Sequence, residues 1–135
     1  MAGVIVLDAS VLIAHFDAGD RHHAQAGELL DAVAGQQLAA SALTLAEVLI
    51  GPARVGRLEA ARDALEAMEV EEVAVEVGGA ERLAQLRAET GLRLPDCCVL
   101  LTAQDTYADA VLTFDARLGK QVKGLGFDWN PPGTP

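Results

Sequence analysis

The chain has 135 residues, about half of them hydrophobic, enough for one domain with a substantial core and too few for a second. Its formal net charge of −10 opposes nonspecific adhesion to nucleic acid, because affinity for phosphate backbones comes from lysine and arginine. The opening segment lacks a basic n-region and its apolar run is cut by Asp8, so no secretory signal, membrane span or membrane partner is expected, and the expected location is cytoplasmic.

Val4 to Leu7 is a short, unbroken apolar run rich in β-branched residues, the pattern of a strand buried on both faces of a parallel sheet. Asp8 ends it, at the edge where open α/β sheets bind ligands. Alternatively, Asp8 or Ser10 caps the helix expected over Val11 to Phe16. A second helix is expected over Arg21 to Val33. On it the adjacent His22 and His23 point in different directions, which suits surface and packing roles rather than metal ligation, and His15 is also expected to be structural.

A strand around Leu38 to Ala40 leads to a helix over Leu43 to Ile50, which Gly51-Pro52 should interrupt. Within SALTLAEVLI, Glu47 stands among apolar neighbours, where an unpaired carboxylate is costly. With Thr44 as N-cap, Thr44 and Glu47 form a capping box. With Ser41 as N-cap, Glu47 lies a turn deeper and needs another partner. Arg54 and Arg57, with Arg62 beyond, are either a positive strip for RNA or a solvated face paired with Glu59 and Glu66. Lys120 and Lys123 are further basic candidates.

Helices are expected over Leu58 to Met68, Gly79 to Thr90 and Cys97 to Thr106, and a short one after Asp115. The remaining strands are expected at Val73 to Val75, Ala110 to Leu112 and Leu125 to Phe127. Asp96 falls between a proline and an apolar helix, the place of an N-cap or first-turn acid. Thr113 and Asp115 follow a buried strand, and either could cap the helix beyond. The adjacent Cys97 and Cys98 read as reduced, hydrophobic core residues rather than a zinc or redox site. Leu29, Leu30, Leu83, Leu86, Val99, Leu100 and Leu101 also read as core. Strands alternating with helices imply an α/β fold, a three-layer α/β/α sandwich with a mainly parallel sheet. One domain should cover 1–129, with a proline-rich tail over 130–135.

Taken singly, these acids suit helix caps. Taken together, Asp8, Glu47, Asp96 and Asp115 each lie near a helix start, and Asp8 and Asp115 follow strands whose carboxyl ends should share an edge. Converging carboxylates raise one another's pKa, and a hard divalent cation such as Mg²⁺ or Mn²⁺ would relieve the repulsion.

VIVLDAS, SALTLAEVLIGPAR, LPDCCVLLTAQ and VLTFDARL occur in that order across nearly the whole chain. In these pieces the sequence resembles PIN-domain ribonucleases, particularly the VapC-like toxins of type II toxin–antitoxin pairs. The resemblance implies that Asp8, Glu47, Asp96 and Asp115 form an acidic Mg²⁺ or Mn²⁺ site, with Ser10 and Thr113 contributing through hydroxyls or water. It implies endonucleolytic hydrolysis of RNA, transfer or ribosomal RNA being the first substrates to try, leaving a 5′ phosphate and a 3′ hydroxyl. It also implies a homodimer silenced by a cognate antitoxin through a basic side chain inserted at the acids.

Two other functions fit the first strand less well. A haloacid dehalogenase-type phosphatase would place an acid/base aspartate where Ser10 stands, and it would release phosphate from small phosphomonoesters. A noncatalytic PIN-like or receiver-like binding module would bind metal without cleaving RNA, or accept phosphate on Asp8.

Overall fold

The computed structural model describes residues 3–130, and none of its helices is long and apolar enough to cross a membrane. The elements run β1 (Val4–Leu7), α1 (Ala9–Phe16), α2 (His23–Ala32), β2 (Gln37–Ser41), α3 (Ala42–Arg54), α4 (Leu58–Ala67), β3 (Val70–Val73), α5 (Gly79–Thr90), α6 (Leu94–Asp105), β4 (Ala110–Leu112), α7 (Ala116–Gly124) and β5 (Asp128–Trp129). The sheet order is β3-β2-β1-β4-β5 and every pairing is parallel. The chain therefore winds outward from β1 through β2 to β3, then restarts at β4 on the other side of β1. In open α/β sheets such a reversal, here at the carboxyl ends of β1 and β4, is the place where ligands bind.

Alternation along the central strands builds two cores. Ile5 and Leu7 of β1, with Ala110 and Leu112 of β4, pack against α1 to α4 through Leu12, Leu29, Leu45 and Leu65. Val6 and Val111 point the other way, onto Leu86, Leu100, Leu118 and Val122 of α5 to α7. Both faces of the sheet are thus covered, which is why β1 and β4 are apolar at every position. The three-layer α/β/α sandwich expected from the sequence is the fold. Among the expected core residues, Leu29, Leu86, Val99, Leu100 and Leu101 are buried, while Leu30 and Leu83 pack at the core margins. Helix α6 is buried from Cys97 to Ala103, enclosed by the sheet, α3 and α5, so its apolar character extends all round rather than along one stripe.

Three boundaries differ from the sequence expectation. Helix α3 does not stop at Gly51-Pro52 but continues to Arg54 with Pro52 inside it. Near a helix end the missing N–H removes only a late hydrogen bond, and the Pro52 carbonyl is satisfied by the N–H of Arg57 at 2.8 Å. Strand β3 lies at Val70–Val73 rather than Val73 to Val75, because its register pairs Val70 with Leu38 and Val73 with Ser41, tucking Met68 and Val70 into the core. At the last strand, Leu125 is the C-cap of α7 and Gly126 takes φ +92°, a left-handed turn that glycine adopts without strain. Pairing therefore begins only at Asp128. Smaller shifts start α2 at His23 and α6 at Leu94. Of the tail expected over 130–135, only Asn130 is among the described residues.

The last strand is held by shape as well as by pairing. Trp129 lies directly over Gly119 of α7, where a Cβ would overlap the indole.

Candidate active site

Asp8 occupies the N-cap position of α1, yet its carboxylate makes no capping bond. Instead its Oδ2 accepts hydrogen bonds from Ser10 Oγ at 2.8 Å and from Thr113 Oγ1 at 2.7 Å. The two hydroxyls in turn accept from main-chain N–H groups beyond β4, Ser10 Oγ from Phe114 at 3.1 Å and Thr113 Oγ1 from Asp115 at 3.0 Å. The carboxyl ends of β1 and β4 are thereby tied through one buried carboxylate, 8% exposed. Hydroxyl donation to a carboxylate is a strong, short bond, and here it fixes Oδ2.

The structure separates the alternatives for Glu47. Ser41 is the N-cap of α3, its hydroxyl accepting from Leu43 N–H at 3.1 Å, so Thr44 and Glu47 form no capping box. Glu47 lies in the second turn. Asp96 is in the first turn of α6, whose N-cap is Arg93. No ion pair among the described residues involves either carboxylate. Asp115 differs, since its Oδ1 caps α7 by accepting from Arg117 N–H at 2.9 Å and Leu118 N–H at 3.3 Å. It serves the helix whatever else it does.

Electrostatics link these groups. Burial, then the negative charges of Asp8 and Asp96, push the Glu47 carboxyl above its ordinary value. Burial also raises Asp96, followed by Asp8 and Asp115. Two guanidinium groups oppose the rise: Arg93 lowers both, and Arg117 lowers Asp96. The arrangement is an excess of negative charge at one sheet edge that nearby arginines offset only in part.

Such a donor set fits a hard divalent cation, because it offers carboxylate and hydroxyl oxygens without an accompanying histidine and cysteine set. Among the described residues no three His, Cys, Asp or Glu side chains are already gathered closely enough to hold a metal ion.

The remaining candidates fall elsewhere. His22 stacks on Phe114 with ring centroids 4.5 Å apart, and His23 Nδ1 meets the Ala14 carbonyl at 2.9 Å, so both pack helices. His15 Nδ1 and Thr44 Oγ1 are buried without a hydrogen-bond partner. Arg62 pairs with Glu59 at 3.9 Å on an exposed helix face, as the solvated-face alternative anticipated, whereas Arg54 and Arg57 form no ion pair among the described residues. Arg57 and Glu47 both line a groove of about 530 Å³ between α1, α3 and α4. Lys120 and Lys123 are exposed on α7. Sequence reasoning missed Arg93 and Arg117, although their signal was present: each lies within three residues of an acid at a helix start. It also missed Trp129 and Asn130, whose contacts with Thr113 span 16 and 17 residues.

Comparison with known proteins agrees with the fold. The PIN domain family model matches residues 5–123. A toxin–antitoxin complex from Klebsiella pneumoniae contains a chain 30% identical to this one, with a TM-score of 0.69 over 90% of this chain and 92% of that chain. VapC20 from Mycobacterium tuberculosis, described as a toxin that cleaves the sarcin-ricin loop, is 20% identical with a TM-score of 0.72 over 91% and 95% of the two chains. FitAcB from Neisseria gonorrhoeae is 19% identical with a TM-score of 0.69 over 95% and 97%. No curated protein matches the chain.

The raised carboxyls carry a stability consequence with a definite sign. Because the folded chain holds these protons to higher pH than the unfolded chain does, stability falls as pH rises through the interval between the two pKa values. Above that interval the full cost of holding partly buried carboxylates charged beside their acidic neighbours is present. Asp96→Asn should therefore raise the melting temperature in EDTA by a few degrees at about pH 7, and the gain should vanish at about pH 3, where the carboxyl is protonated in both states. Thermal melts across that range decide it, and a gain independent of pH would contradict a cost tied to the charged carboxylate.

Proposed function

The chain belongs to the PIN domain family, and on that premise we propose that it is a metal-dependent endoribonuclease, the toxin of a toxin–antitoxin pair. The observation that carries this reading is the electrostatic coupling of Asp8, Glu47 and Asp96, with Asp115 beside them, at the switch point of the sheet. A cleft lined by mutually strained carboxylates favours cation binding, and cation-assisted phosphodiester hydrolysis is the chemistry such a site serves.

Asp8 and Asp96 are assigned as ligands of Mg²⁺ or Mn²⁺, with Asp8 Oδ2 held by Ser10 and Thr113 and its Oδ1 left for the cation. A bound cation would neutralise the acids, polarise the phosphate and acidify a water. Glu47, its carboxyl raised by burial and by its acidic neighbours, is suited to take the proton from the attacking water at a carboxylate oxygen. Asp115 keeps Oδ1 on the α7 cap and adds its negative charge to that at Asp96. Arg93 and Arg117 are exposed beside the acids and would bind phosphates flanking the scissile one. Arg54 and Arg57 would extend RNA contacts along the α3–α4 side.

The groove between α1, α3 and α4 supports the partner assignment. Ile13, Phe16, Val48, Pro52 and Val55 give it an apolar lining, and Glu47 lies at its acidic side. An antitoxin segment could bury apolar side chains there while placing a basic side chain at the acids. The relative from Klebsiella pneumoniae, a toxin–antitoxin complex, supports the same partner class, and a homodimer is the proposed assembly.

Antitoxin-free protein incubated with total bacterial RNA should produce discrete cuts in Mg²⁺ or Mn²⁺ but not in EDTA, and Asp8→Asn should slow them at least about 100-fold. Metal binding with no cleavage would turn the assignment toward the noncatalytic module; cuts unaffected by Asp8→Asn would remove the acids from the reaction. For RNA binding, each of Arg93→Ala and Arg117→Ala should reduce the salt slope by about 1. A slope left unchanged by both, but reduced by Arg54→Ala and Arg57→Ala, would move the RNA path to the α3–α4 side. Val55, 70% exposed, offers a test of the groove: Val55→Asp should weaken antitoxin affinity about tenfold or more, equivalent to about 1.4 kcal/mol, while RNA cleavage is retained. Undiminished affinity in a titration would place the antitoxin elsewhere.

A further inference from the structure

Thr113 supplies one of the two hydroxyl bonds to Asp8, so whatever fixes Thr113 also bears on the acid. It follows the last residue of β4, and its own peptide groups are met by side chains from the end of the described chain. Thr113 N–H donates to Asn130 Oδ1 at 3.1 Å, and Asn130 Nδ2 donates back to Thr113 O at 3.2 Å. Trp129 Nε1 donates to the same carbonyl at 3.1 Å. Asn130 is itself anchored, its main-chain N–H donating to Val111 O at 3.0 Å. Thr113 is fully buried, and without these partners both of its main-chain groups would lose the bonds that burial demands.

The backbone of Asn130 shows that the arrangement is specific. It adopts φ 56°, the left-handed region that is costly for most residue types and that asparagine tolerates best after glycine. Its carboxamide presents an acceptor and a donor side by side, matching the N–H and C=O of a single residue. Of the side chains that enter left-handed backbone readily, asparagine is the one with both groups.

We propose that Asn130 is a positioning residue for the acidic site: its carboxamide holds Thr113, and Thr113 Oγ1 holds Asp8 Oδ2. The inference rests on Asp8 being a ligand of the divalent cation. Asn130 touches neither the cation nor RNA, and it acts through two hydrogen-bonded steps across the β4–β5 end of the sheet. Outer partners of this kind govern metal affinity by fixing the orientation of a ligand.

The test is calorimetric Mn²⁺ binding to the whole chain, with thermal melts in EDTA run beside it. Asn130→Gly keeps the left-handed backbone accessible and deletes both side-chain bonds. It should weaken Mn²⁺ binding about tenfold or more, and Thr113→Val should do likewise. Combining the two should weaken binding no further than Thr113→Val alone, because both break the same chain of contacts. Asn130→Gln, which keeps the carboxamide but sets it one methylene further out, should also weaken binding and serves if Asn130→Gly fails to fold. Wild-type binding that is lost in Asp8→Asn but unchanged in Asn130→Gly or Asn130→Gln would overturn this inference alone. Additive losses in the double variant would also overturn it. Wild-type protein that binds no Mn²⁺ would overturn the metal site, and the inference with it.

Discussion

The parallel pairing of β1 with β4 is the constraint on which the acidic edge depends. It places Leu7 opposite Leu112, so the next residues, Asp8 and Thr113, emerge side by side at the carboxyl end of the sheet. Their hydrogen bond closes a contact between residues far apart in sequence, and Ser10 adds a second donor from the opening turn of α1. Register determines this geometry. A shift of β4 by one residue would turn Leu112 toward the opposite core and carry the hydroxyl of Thr113 away from the aspartate.

Around that joint the fold sets several demands on α6. Its buried residues complete the core on the α5–α7 side, its first turn carries Asp96, and Cys98 lies against Ser41, the N-cap of α3. Packing of α6 against α3 and the sheet therefore brings Asp96 near Glu47 although neither helix contacts its neighbour through an ion pair at that point. The cost appears in the raised carboxyls of both residues. Stability and the proposed site chemistry oppose one another here, since the burial and repulsion that disfavour the charged acids would give the proposed cation its advantage.

The strongly acidic composition is less adverse to an RNA-directed function than the total suggests. Net charge describes the distant field, whereas screening confines the interactions that guide a bound phosphate to roughly 8–10 Å. Within the acidic edge Arg93 and Arg117 provide local positive charge, and neither belongs to an ion pair among the described residues. Arg82, on α5, is by contrast occupied by Asp105 at 2.6 Å and by Gln104, both on α6.

Sequence by itself determined the layer order and the buried parallel strands, because burial on both faces leaves unbroken apolar runs, and it marked Asp8 as a candidate because a carboxylate at the end of such a run is conspicuous. It also left the right alternatives at Glu47, since both Ser41 and Thr44 can cap a helix and local chemistry does not choose between them. Tertiary structure made that choice, and it alone decided the matters that depend on register. Strand β3 moved to Val70–Val73 because β2 selects its partners, and β5 waited for the turn at Gly126. Asn130 became part of the Asp8 network through contacts 17 residues from Thr113. No local propensity encodes such a contact; it exists only once β4 and β5 lie side by side.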